Sequence, residues 1–212
     1  IKKKRILGFV NCPVSKESLF KKKHQGITEF LSKKNNNQNN EVMLIYNKNL
    51  SVSPITTHIP LSKVTTKVTE SKIIKNVKTI NTFYKKNFKI KPHIAILGLN
   101  PHNFLPKSKY NKKDPIIRAI KKLISLKIHI TGPVAPDSSF VNFKKNKINV
   151  IVGMYHDQVL TPFKALYKFN AINVTLGLPY LRTSPDHGVA QNITGKKVAN
   201  ASSLIESIKF FN

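Results

Sequence analysis

Acidic residues are scarce in this chain. Its 212 residues hold 9 Asp and Glu against 37 Lys and Arg, a formal net charge of +28. Clustered cations release counterions from a polyanion, so such an imbalance raises nucleic acid or an anionic membrane as a partner. The excess is mostly Lys, with Asn and Ile abundant beside it, the trio that an AT-rich genome encodes. The lysines are scattered, without the aromatic interleaving of single-strand binders, and no nucleic-acid motif accompanies them. Compositional drift is the favoured reading, and nucleic acid is not expected as a partner.

Cysteine is nearly absent too. Cys12 alone excludes an internal disulfide and a Cys-rich zinc site, and it fits a reducing compartment, so a cytoplasmic location is expected. No apolar run approaches the roughly 20 residues that cross a bilayer, and no membrane span is expected. The opening Ile1-Lys2-Lys3-Lys4-Arg5 before Ile6–Val10 faintly imitates a signal peptide, but the apolar part is short and lacks a small-x-small site. A basic flank before a buried strand is the better reading. The chain opens on Ile1 rather than Met, and is expected to start inside a longer natural sequence. The GxGxxG, HxxxH and HExxH patterns are all missing.

Hydrophobic residues make up 40% of the chain, well above the disordered range, and its length suits one or two domains. Short apolar runs predict strands over Arg5–Val10, Val42–Tyr46, His93–Leu97, Ile128–Thr131, Val150–Met154 and Ala171–Thr175. Helices are predicted over Ser15–Lys22, Ile27–Lys33, Val64–Phe88, Pro115–Leu126 and Ala201–Phe210. In the longest of these, Ile73, Ile74, Val77, Ile80 and Tyr84 recur at helical spacing, and Pro115 suits a first helical turn. The polar run Lys33–Asn40 reads as a solvated loop. The interleaving of strands and helices points to an α/β fold.

Chemistry-bearing peptides collect at the ends of the predicted strands, where α/β sheets usually bind ligands. They include Thr56-Thr57-His58, Gly98-Leu99-Asn100-Pro101-His102, Met154-Tyr155-His156-Asp157-Gln158 and the long stretch Asn173–Gly188. Neutral imidazoles suit zinc and similar ions, and three ligands leave a position open for substrate. Spacing alone does not assign such a site here. His58, His102 and His156 lie dozens of residues apart, and a histidine taken singly is more often a surface or hydrogen-bonded core residue than a ligand.

As whole strings these peptides say more. Leu97–His102, Met154–Gln158 and Asn173–Gly188 resemble signatures of the 4-hydroxythreonine-4-phosphate dehydrogenase family, in the family's order and spacing. Gly132–Phe140 resembles a fourth signature, and Cys12-Pro13-Val14-Ser15-Lys16 a fifth with Cys where Gly is usual. The resemblance covers essentially the whole chain, with the family's opening segment absent. Residues 1–212 are thus expected to be the larger, C-terminal part of such a protein.

The resemblance implies a two-lobed α/β/α dehydrogenase of the isocitrate and isopropylmalate dehydrogenase type, with a non-Rossmann NAD site. It implies a divalent metal (Zn, Mg or Co) on His58, His102 and His156. Substrate contacts carry over to Thr28, Lys164, Asn173 and Arg182. Lys and Arg suit phosphate and carboxylate oxygens, Arg in bidentate fashion, and an Asn amide both donates and accepts. The stretch Asp186–Ala190 with Thr194–Asn200 resembles the adenine-side NAD loop of the wider superfamily, which gives His187, Gly188 and Asn200 a cofactor role, with NADP as the alternative. Lys164, Asp157 and Asp137 are the candidate proton carriers; the two aspartates read equally well as turn or cap residues.

The implied reaction oxidises 4-phosphohydroxy-L-threonine to a keto acid that loses CO2, on the path to vitamin B6, in a homodimer. Three departures stand out. Ile27 replaces a substrate-contacting His in Gly26-Ile27-Thr28-Glu29, and isoleucine neither donates a hydrogen bond nor carries charge. The segment Asn103–Asp114 is basic where the family is glycine-rich and acidic. The third is the missing opening segment. A dehydrogenase of a phosphorylated four-carbon sugar acid, an inactive truncated relic and a basic nucleic-acid binder are the competing readings.

Overall fold

A computed structural model of the chain describes residues 7–15, 27–35, 40–100 and 113–211. The chain divides into two compact units, residues 48–166 and residues 1–47 with 167–212. The predicted helix Ser15–Lys22 lies almost wholly outside the described residues, as do residues 36–39 of the polar run and 103–112 of the basic segment.

The central unit is built on parallel strands. They are β3 (Leu50–Thr56), β4 (Ile94–Leu97), β5 (Ile130–Val134) and β6 (Val150–Tyr155), in the spatial order β3-β6-β4-β5. All three pairings are parallel. Strands of a parallel sheet are covered on both faces and read as continuous apolar runs. β4 and β6 fit that rule, with Ile94, Ile96, Val150, Ile151 and Val152 all fully buried. The covering helices are α2 (Val64–Lys67), α3 (Glu70–Asn87), α4 (Pro115–Ser125), α5 (Pro136–Asn142) and α6 (His156–Tyr167). α3 buries Ile73, Val77 and Ile80, and α4 buries Ile116, Ala119 and Leu123. Asp114 caps α4, its carboxylate accepting from the Ile116 N–H at 2.7 Å, with Pro115 in the first turn as expected.

Where the predicted elements differ, the physical reason is visible. Val64–Phe88 forms two helices rather than one. Val68 and Thr69 take extended backbone, and the Thr69 hydroxyl accepts from the Lys72 N–H at 3.3 Å, restarting the helix. β3 escapes sequence reading because Ser51, Ser53 and Pro54 interrupt its apolar pattern. Ser51 and Ser53 are nevertheless buried. The Tyr84 hydroxyl donates to Ser51 Oγ at 2.8 Å, and Asn76 Nδ2 donates to Ser53 Oγ at 3.2 Å, so α3 satisfies the polar face of the strand.

The other unit carries the order β1-β8-β7-β2. Its strands are β1 (Gly8–Val10), β2 (Val42–Asn47), β7 (Ile172–Leu176) and β8 (Leu181–Pro185), with α1 (Ile27–Lys34) and α7 (Ser202–Lys209). β1 runs parallel to β8, while β7 is antiparallel to both β8 and β2. Leu44, Ile45 and Val174 are fully buried there. α7 turns small residues to the sheet: Ser203 and Ser207 are fully buried, and Ser203 Oγ donates to the Ala171 carbonyl. The polar strand β8 is a second element that the apolar pattern does not announce. No described helix is long and apolar enough to cross a membrane.

At the amino end of β4, the ring of His93 stacks on His129 at 4.0 Å between centroids. Its nitrogens lie 3.0 Å from the Asn146 carbonyl and 2.7 Å from the Thr131 hydroxyl. Burial, and then the charge of His129, hold the His93 imidazole below its ordinary 6.5, against the opposing pull of the Asn146 and Lys147 carbonyls. The folded state therefore favours neutral His93. The stability this gives is complete above pH 6.5 and is lost as the pH falls through the lower folded-state value. The melting temperature should drop on acidification through that window, and His93→Asn should flatten the drop. Identical acid limbs in the two proteins would contradict this account.

Candidate functional site

Parallel pairing brings the carboxyl ends of four strands to one edge of the central unit, and most of the sequence-predicted site residues of that unit follow those ends. His58 lies two residues beyond β3, in left-handed backbone with φ of 52°. His156 opens α6 directly after β6, and Asp157 follows it. Asp137 stands in the first turn of α5, just past β5. His102 follows β4 in sequence but lies outside the described residues.

Two of the three histidines are close neighbours. The rings of His58 and His156 have their centroids 6.0 Å apart at an interplanar angle of 64°. Two imidazoles sharing one tetrahedral ion would stand roughly 5 Å apart, given metal–nitrogen bonds of about 2 Å. Paired imidazoles suit a borderline ion such as zinc or cobalt, whereas magnesium prefers oxygen ligands, and no cluster of three His, Cys, Asp or Glu side chains forms among the described residues. The Asp157 carboxylate lies 2.7 Å from His156 Nδ1, which fixes the ring from one side. Asp137 is exposed, and its carboxylate accepts from the Ser138 N–H at 2.8 Å, the turn arrangement that its sequence also allowed. Lys164 is half-buried on the same helix as His156, about 12 Å further along its axis at 1.5 Å per residue.

The unit of residues 1–47 and 167–212 holds a buried guanidinium. Arg182 on β8 is only 4% exposed. Its Nε donates to Asn11 Oδ1 at 2.6 Å. Its Nη1 donates to Thr175 Oγ1 at 2.8 Å and to Thr28 Oγ1 at 3.3 Å. The register explains the grouping. Thr175 on β7 stands directly opposite Arg182, and Asn173 lies two residues along on the same face. Asn11, Thr175 and Thr28 each meet the guanidinium through a neutral oxygen, which orients the fork. Asn173 Oδ1 is buried and has no hydrogen-bond partner among the described residues. An unsatisfied buried carbonyl costs about 1–3 kcal/mol, a cost that any donor reaching this atom would relieve. Thr28 and Ile27 begin α1, so the residue that departs from the family pattern adjoins the Arg182 cluster in sequence.

The residues expected at the cofactor lie elsewhere in that unit. His187 is half-buried with its ring edge-on to Phe169 at 6.2 Å, and its Nδ1 is 2.9 Å from the Gly188 carbonyl. Gly188 is exposed, and a Cβ there would meet nothing within 4 Å, so the loop leaves room for a ligand. Asn200 is exposed, and its Oδ1 accepts from the Ser202 N–H at 2.9 Å, an anchoring role at the start of α7.

Four residues in these clusters escape sequence reasoning: Asn11 and Thr175 around Arg182, and Thr56 and Gln158 around the histidines. Thr175 alone leaves a usable signal, through its period-two spacing from Asn173. Because Arg182 is held by three directional bonds, Arg182→Lys keeps the charge but loses the fork. Inorganic phosphate should then bind on the order of tenfold more weakly, measured by phosphate-dependent thermal shift. An unchanged shift would remove Arg182 from anion binding.

Comparison with known proteins identifies the family of the chain. The pattern of the family described as pyridoxal phosphate biosynthetic protein PdxA matches residues 1–211. A 4-hydroxythreonine-4-phosphate dehydrogenase from Sulfurihydrogenibium sp. is 41% identical over 210 residues, 97% of this chain and 64% of that protein. The chain thus spans less than two thirds of the length of that relative. The crystal structure of 4-hydroxythreonine-4-phosphate dehydrogenase from Klebsiella pneumoniae superposes with a TM-score of 0.79 at 30% identity, over 95% of this chain and 63% of that one. Isocitrate dehydrogenase from Methylococcus capsulatus shares the fold, with a TM-score of 0.59 at 10% identity over 95% of this chain and 66% of that one. With the family pattern matching residues 1–211 and the fold in agreement, the chain belongs to the PdxA family of pyridoxal phosphate biosynthetic proteins.

Proposed function

We propose that this chain oxidises 4-phosphohydroxy-L-threonine to a 2-amino-3-oxo acid phosphate that decarboxylates, using NAD and a divalent metal, in pyridoxal phosphate synthesis. The observation that carries the reading is the His58–His156 pair at the carboxyl edge of parallel strands. His58 and His156 would hold the ion, with His102 assigned as third ligand by resemblance. A bound ion supplies Lewis acidity toward the substrate's secondary hydroxyl, and NAD accepts the hydride.

The chain's own residues bind and orient. Arg182, fixed by Asn11, Thr28 and Thr175, presents a charged donor for a phosphate or carboxylate oxygen. Asn173 offers its buried Oδ1 to a substrate donor such as the amino group. Lys164 adds a second cation for the anionic substrate or takes the hydroxyl proton. Asp157 holds His156 by Nδ1, which directs the other ring nitrogen to the ligand position. Asp157 and Asp137 are the alternative proton carriers. His187, Gly188 and Asn200 form the adenine side of the cofactor site. The working form is a cytoplasmic homodimer.

Turnover should appear as NADH formation when the substrate, NAD and Zn2+ or Co2+ are supplied, and should vanish on chelation. His156→Ala should lower it on the order of 100-fold or more. Full activity in that variant would overturn the assignment. Ile27 in place of the family histidine supports a second reading, a dehydrogenase of a phosphorylated four-carbon sugar acid. Metal-dependent turnover of the sugar acid without turnover of the amino acid would favour it.

A further inference from the structure

Gln158 has no part in the chemistry above, yet it is a polar side chain buried to 8% exposure in the second residue after His156. Burying an amide is costly unless both of its ends are satisfied. Both are: Oε1 accepts from the Met154 N–H at 2.7 Å, and Nε2 donates to the Gly98 carbonyl at 2.9 Å. Met154 lies in β6 and Gly98 directly follows β4, beyond the point where the pairing of those two strands stops. β4 and β6 are in register from Ile94↔Val150 to Ile96↔Val152 and no further. The Val150 N–H donates to the His93 carbonyl on the β4 side. Strand alternation turns the Met154 N–H to that same side, where it meets Gln158 instead of a backbone carbonyl. The side-chain amide stands in for the missing peptide and continues the ladder beyond its last backbone pair.

Two neighbours complete the arrangement. Thr56, the last residue of β3, is buried, and its hydroxyl donates to the Met154 carbonyl at 2.7 Å. The N–H and C=O of Met154 are therefore both taken by side chains, one from each flanking element. Gly153 keeps the space open, because a Cβ there would lie 2.4 Å from Val159 Cγ1 and 3.0 Å from Gln158 Oε1. Met154 is two residues before His156, and Thr56 is two residues before His58. The clamp thus sits at the base of both histidines.

We infer that Gln158 and Thr56 are positioning residues that hold His58 and His156 at metal-binding separation. This rests on the metal reading proposed above. A chelating pair gains affinity when its geometry is set before the ion arrives, and outer-shell supports of this kind are worth about 10–100-fold in metal affinity.

The test uses the full 212-residue chain and Co2+ alone, with its dissociation constant found by competition against a chelating dye. Gln158→Met keeps the length of the side chain and removes both hydrogen bonds, and Thr56→Val does the same for the hydroxyl. Each variant should bind Co2+ about 10–100-fold more weakly while the metal-free protein still melts cooperatively. If Gln158→Met unfolds the protein, Thr56→Val carries the same expectation. Folded variants that bind within about twofold of the parent would overturn the inference. His156→Ala separates the two levels of the argument. If it binds Co2+ as the parent does, or if the parent binds none, the metal reading itself falls.

Discussion

Everything at the candidate metal centre depends on the parallel alignment of β3, β6, β4 and β5. Parallel strands share a direction, so each chain segment leaving the sheet leaves at the same edge. Residues that are far apart in sequence, such as His58 and His156, become neighbours for this reason alone. The buried apolar runs of β4 and β6 supply the driving force for the sheet, and the helices that cover both faces leave only its edges for polar chemistry.

The second cluster obeys a different rule. Around Arg182 the strands are mixed, and cross-strand pairing rather than strand direction does the gathering. Arg182 faces Thr175 across one ladder, while Asn11 approaches from the end of β1. The guanidinium is buried with oriented neutral acceptors, and the Asn173 carbonyl oxygen on the same sheet face has no hydrogen-bond partner among the described residues. One unit therefore gathers a pair of histidines, and the other gathers a buried guanidinium with its oriented acceptors.

Much of this was legible in the sequence, and the remainder was hidden for identifiable reasons. β2, β4, β6 and β7 are announced by apolar runs, and α4 by its proline and amphipathic spacing. β3 and β8 are not, since their Ser, Thr and Arg residues read as loop until their buried partners are seen. Met154–Gln158 reads as a motif at a strand end, yet His156 is already helical. The histidines and Arg182 stand out by residue type and by the strings around them. Their supports stand out less: Thr175 is marked only by its period-two spacing from Asn173, and Asn11, Thr56 and Gln158 act through geometry that exists only in three dimensions.

The hydroxyl and amide contacts between α3 and β3 have a consequence for the uniqueness of the native state. Tyr84 reaches Ser51 and Asn76 reaches Ser53, so helix and strand are pinned at two points two helical turns apart. An apolar interface alone would tolerate sliding, since one aliphatic contact substitutes readily for another. A shift of one residue turns the helix by about 100° and withdraws both polar side chains at once. The abandoned serine hydroxyls would then cost about 1–3 kcal/mol each in a dry interior. The two pins work as a vernier: they add little to the strength of the packing, but they admit a single alignment of α3, and with it a single position for the strand end that bears His58.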